Sequence, residues 1–171
     1  MPSLADVQSQ AVRTLLANRS LSKATLAINA GSAATIKTTG TNYFTIDGIQ
    51  YSYAALSAQA LAADATQQAL ISGQAGFYVQ PISKTVYYVI GINSSGTVKC
   101  FQGTYTGQTF TNFVGRAGDS LIPDIGNSYC PIGMIKVVTG SATFTPATTA
   151  LDAANITFTF YDLSVLPSTA P

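Results

Sequence analysis

The run Asn42-Tyr-Phe-Thr-Ile-Asp-Gly-Ile-Gln-Tyr51 decides the fold class. Two stretches rich in aromatic and β-branched residues flank Asp47-Gly48. Asp-Gly at the centre of a two-residue loop supplies the positive φ angles of a type I′ turn, whose twist matches the strands it joins. The run is therefore predicted to be a β-hairpin.

The same pattern continues toward the carboxy terminus. Residues 77–80, 85–90 and 97–101 are rich in Val, Ile, Tyr, Phe and Thr, with a polar, Gly-containing hairpin loop at 91–96. Residues 132–138 read as a further strand and 156–161 as the last. In that last strand Ile156, Phe158 and Phe160 point to one side and the threonines to the other, the pattern of a half-buried strand. Its low charge also makes it a candidate for pairing across a subunit boundary.

Two segments read as helices. Near the amino terminus, Leu4, Val7, Ala11 and Leu15 recur at helical spacing, Val12 and Leu16 widen the stripe, and Ser3 is placed to cap it. Residues 53–71 are Ala-rich, with Leu56, Ala60, Ala63, Gln67 and Leu70 on one face and Gly73 and Gly76 as the stop. Residues 29–41 read as a linker or an irregular extended segment, which leaves a body expected to fold without residues 1–30. Residues 103–128 read as a long loop anchored by Phe110, Phe113 and Pro123, of a length that suggests binding. The expected fold is mainly β (α+β): a compact antiparallel β-sandwich or barrel-like body at 39–171, with one Ala-rich helix, preceded by an N-terminal helical arm and linker at 1–38.

Composition narrows the function. Charged residues make up 9% of the 171, against about 25% in an average domain. All seven acidic residues are Asp, and His and Glu are absent. A net charge of +1 without a basic run argues against a nucleic-acid partner and favours association with other protein surfaces. No stretch is apolar enough to read as a membrane span, and residues 1–20 lack the apolar core of a secretory signal, so synthesis in a cytosol is expected. That compartment favours free thiols at Cys100 and Cys130, with a disulfide as the alternative.

Without His, nucleophilic triads and the commonest metal ligand are missing. Two cysteines thirty residues apart do not make a zinc site. Asp119 and Asp124 are the one close acidic pair, read as turn chemistry ahead of a cation or paired-carboxylate site. Tyr43, Tyr51, Tyr53, Tyr87 and Tyr88 could form a carbohydrate platform, but cross-strand pairs are the simpler use of such residues. No catalytic residue, cofactor or metal is expected.

Residues 42–137 resemble a segment of tailed-bacteriophage virion proteins, in particular capsid decoration (cement) and head-fibre proteins. The residues that carry the resemblance are 42–51, Val86-Tyr-Tyr-Val-Ile-Gly91, Gly96-Thr-Val-Lys99, Ile122-Pro-Asp-Ile125 and Cys130-Pro-Ile-Gly-Met-Ile-Lys-Val137. The resemblance implies a homo-oligomer, commonly a trimer at three-fold positions, that binds the major capsid protein across capsomers on the outer face of a head. Leu4, Val7, Leu15 and Leu16 on the arm, with Ile156, Phe158 and Phe160 at the far end, are the expected interface residues. The alternative is a fibre or tail adhesin domain that binds a host surface glycan.

Overall fold

The Asp47-Gly48 turn forms as its sequence dictates. In the computed structural model, which describes residues 17–29, 32–105 and 122–164, Asp47 has φ 50° and Gly48 φ 78°, and Ile46 pairs with Ile49 across them. Ten strands are present among these residues: β1 (Arg19–Ser20), β2 (Ala27–Asn29), β3 (Ser32–Lys37), β4 (Asn42–Ile46), β5 (Ile49–Tyr53), β6 (Gln59–Ala60), β7 (Thr85–Ile92), β8 (Val98–Gln102), β9 (Cys130–Thr139) and β10 (Ile156–Asp162). The one helix among them is α1 (Ala65–Ser72).

Every strand pairing is antiparallel, and three sheets result, in the orders β1-β4-β5, β2-β3-β6 and β10-β9-β7-β8. None of them closes into a barrel among the described residues. The four-stranded sheet is the centre. Its strand β7 is nearly continuous in apolar residues because both faces are covered. Val86, Tyr88, Ile90 and Ile92 enter the main core with Phe44 and Ile46 of the first sheet and Ile36 of the second. Val89 enters a smaller cluster on the opposite face with Phe101, Ile125, Tyr129 and Met134. A bulge leaves Ile132 of β9 without a partner on β7, since Ile90 pairs with Gly133 and Gly91 with Pro131.

Three expectations need correction. Residues 53–71 are not one helix: Tyr53 ends β5, Ala60 pairs with Thr35, and the helix starts only at Ala65. Alanine's helical preference loses here to non-local bonds, with the Leu56 N–H donating to Thr38 Oγ1 at 2.9 Å and Ala58 turning through φ 50°. The 29–41 segment is not a linker, because residues 32–37 are a strand and Ile36 is fully buried. Ala24, Leu26 and Ile36 share one core with strands of 39–171. A body lacking residues 1–30 would therefore lose part of its core. Residues 77–80 form no strand; Gln80 makes a single bridge to Phe144. The amphipathic stripe of 4–16 lies outside the described residues.

Candidate functional site

The expected interface residues divide. Leu4, Val7, Leu15 and Leu16 lie outside the described residues. Ile156 is buried in the main core, and Phe158 and Phe160 pack half-buried against it, their rings edge-to-face at 5.4 Å. These three side chains pack against the chain's own core, and Thr157, Thr159, Tyr161 and Asp162 are what β10 exposes.

Asp119 also lies outside the described residues. Asp124 is exposed; its Oδ1 accepts from the Gly126 N–H at 2.9 Å and its carbonyl from Gln67 Nε2 at 2.9 Å, which is turn chemistry. Among the described residues no group of three or more His, Cys, Asp or Glu side chains gathers to hold a metal. Cys100 and Cys130 are free and buried. Burial pushes both thiols up, Cys130 to about 12, so neither is a nucleophile near neutrality.

The tyrosines do not share a platform. Tyr88 is fully buried against Phe144, and Tyr51 stacks on Phe44 with centroids 5.8 Å apart. Tyr43 pairs with Ser52 and Tyr53 with Asn42, which places the two exposed rings on opposite faces of the hairpin. The Tyr53 ring lies over Gly96, where a Cβ would meet it at 2.0 Å.

The polar hollow that sequence did not reveal lies at the start of α1. Asp64 caps the helix: its Oδ1 accepts from the Gln67 N–H at 2.9 Å, and its Oδ2 accepts from the Tyr129 hydroxyl at 2.8 Å. The backbone bond holds the Asp64 carboxyl below its ordinary value, against the opposing effect of burial. Burial first, and the bond to Asp64 second, push Tyr129 up to about 12. A cavity of about 300 Å³ opens here between Asp64, Gln67, Asn127 and Tyr129. Both carboxylate oxygens hold backbone or side-chain donors, so the geometry organises the fold. The local signal was Asp64-Ala-Thr-Gln67, a capping pattern at a helix start. Tyr129, 65 residues away, had no such signal.

The four-stranded sheet ends in a second polar cluster that sequence did not reveal. The Tyr88 hydroxyl donates to Gln80 Oε1 at 2.8 Å and accepts from Gln102 Nε2 at 3.1 Å, while the Gln102 N–H donates to Gln68 Oε1 at 3.0 Å. All three glutamines are fully buried, and their polar atoms hold backbone together.

The outside is different in character. Ile49 is 59% exposed, Leu70 67%, and Ile122 61%, with Val79, Ile82, Tyr43, Tyr53 and Tyr161 also open. Compared with family profiles, curated proteins and solved structures, the chain matches none of them. Among the described residues no helix is long and apolar enough to cross a membrane.

Proposed function

We propose that this chain is a structural virion protein that decorates and stabilises a tailed-phage head as a homo-oligomer, with a trimer implied by the resemblance of residues 42–137. The observation that carries the reading is the exterior of the β-body. It is poor in charge, with 9% charged residues over the chain, and it presents large apolar side chains on several elements. Exposed apolar side chains on several elements are surface that neighbours can cover. Low net charge removes the repulsion that keeps solvated monomers apart. The polar side chains inside the hollows satisfy the chain's own backbone, which suits a rigid block.

The test is location and consequence on purified particles. Labelled protein is expected on heads, and its removal is expected to lower the temperature at which heads rupture. Labelling confined to tails would replace this reading with the adhesin one, and no particle binding would end both.

A further inference from the structure

We propose that β5 is an interface between two copies of this chain, in which the two strands pair antiparallel about a two-fold axis through Tyr51. This goes beyond the virion reading and does not rest on it.

β5 stands at the edge of its sheet, with β4 as its one strand neighbour among the described residues. The type I′ turn fixes which way its backbone points. Ile46 and Ile49 close a two-residue loop and so form a hydrogen-bonded pair; alternation then makes Phe44–Tyr51 and Asn42–Tyr53 hydrogen-bonded as well. Gln50 and Ser52, in the intervening pairs, direct their N–H and C=O groups away from β4. Two of the other edges are met in part by the chain itself. The Cys100 N–H of β8 donates to Ala62 O at 2.8 Å, and Ser20 of β1 bridges to Ser164.

Edge strands are normally protected by charge, proline, a bulge or brevity. β5 has five residues, Ile49-Gln-Tyr-Ser-Tyr53, with no charge, no proline and an unbroken register to β4. Four of the five are exposed, and Tyr51 is partly so.

A second copy is the occupant that this edge fits. A two-fold axis sets each residue near its own counterpart, so a charged edge would oppose itself. With Tyr51 on the axis all five residues overlap: Gln50 meets Ser52 of the second copy in hydrogen-bonded pairs, and Ile49 meets Tyr53. The nearest charge, Asp47, sits four residues from the axis. The two copies of Asp47 are then about 27 Å apart at the rise of an antiparallel strand, well beyond the screening length. The contact also satisfies both edges at once, so it stops at two and does not propagate.

The experiment is the mass of the purified full chain in solution across a dilution series, with two variants. The chain is expected at twice 17.7 kDa, or at six chains where the trimer of the virion reading pairs through β5. Ser52→Pro removes an outward N–H only, so it should melt like the parent and run as a monomer. Ser52→Lys keeps that N–H and should also shift the mass toward a monomer, which keeps the test open should the proline variant not fold. Tyr51→Cys should give a covalent pair reversed by reductant, because facing residues on the axis have Cα atoms about 4.5 Å apart. A parent chain that is monomeric or trimeric overturns the proposal, as does an unchanged mass in both Ser52 variants. A trimer would leave the virion reading standing, and a two-fold dimer that ignores phage particles would do the reverse.

Discussion

Asp64 shows how one carboxylate can fix a local structure. Asp64→Ala removes the cap on Gln67 N–H and the acceptor for Tyr129, and should cost about 1–2 kcal/mol by chemical denaturation. Asp64→Asn keeps a capping oxygen and should cost less. The folded carboxyl lies below its ordinary value of 3.8, so its contribution is complete above that pH and is lost as pH falls through the folded value. The gap between parent and Asp64→Asn should therefore close in acid and stay constant from pH 5 to 8. Tyr129 has the opposite sign: stabilisation held below pH 10 is lost as pH rises through about 12. At the sheet end, Tyr88→Phe strips Gln80 Oε1 of its hydroxyl donor in a buried site and should cost about 1–3 kcal/mol. Little of this was legible in the sequence. Tyr88 sits in an obvious β run, but nothing nearby states that residues 8 and 14 positions away complete its bonds.

Elements were legible where their cause is local. The hairpin at 42–53 follows from two turn residues, and Gly48→Ala should cost about 1–2 kcal/mol because φ 78° is strained for any residue with a Cβ. The strands β7, β8, β9 and β10 were readable for the same reason, since their branched and aromatic residues declare themselves. Residues 53–71 were not, because Thr35, Thr38 and Cys100 decide their path from far along the chain. Gly133 is a comparable case within β9. A Cβ there would lie 2.1 Å from Leu26 Cδ1 and 3.2 Å from the Tyr161 carbonyl. Gly133→Ala should destabilise by about 1–3 kcal/mol through overpacking. Adding Leu26→Ala should then cost less than it does in the parent, a coupling that a double-mutant cycle would read directly. No periodicity in the sequence marks Leu26 as the side chain that crosses this glycine.

At the scale of the molecule, the sparse charge was plain from composition, whereas its distribution between interior and edge was not. The alternation of Ile156, Phe158 and Phe160 correctly indicated one buried face, but that face is turned to the chain's own core. Exposed apolar surface among the described residues lies on elements such as β5 and on side chains such as Leu70 and Ile122. The amino-terminal region divides in the same way. Deleting residues 1–30 removes β1, β2, the buried Ala24 and Leu26, and the Asn18 bonds to the Asn127 and Tyr129 carbonyls. Such a chain should show no cooperative thermal transition. Deleting residues 1–16 spares all of those groups and should leave a cooperative transition. On the virion reading this shorter deletion loses attachment to heads, because it removes Leu4, Val7, Leu15 and Leu16. Attachment that survives it unchanged would move the docking surface onto the β-body. Cooperative melting of residues 31–171 would show that the strands before β3 are not part of the core.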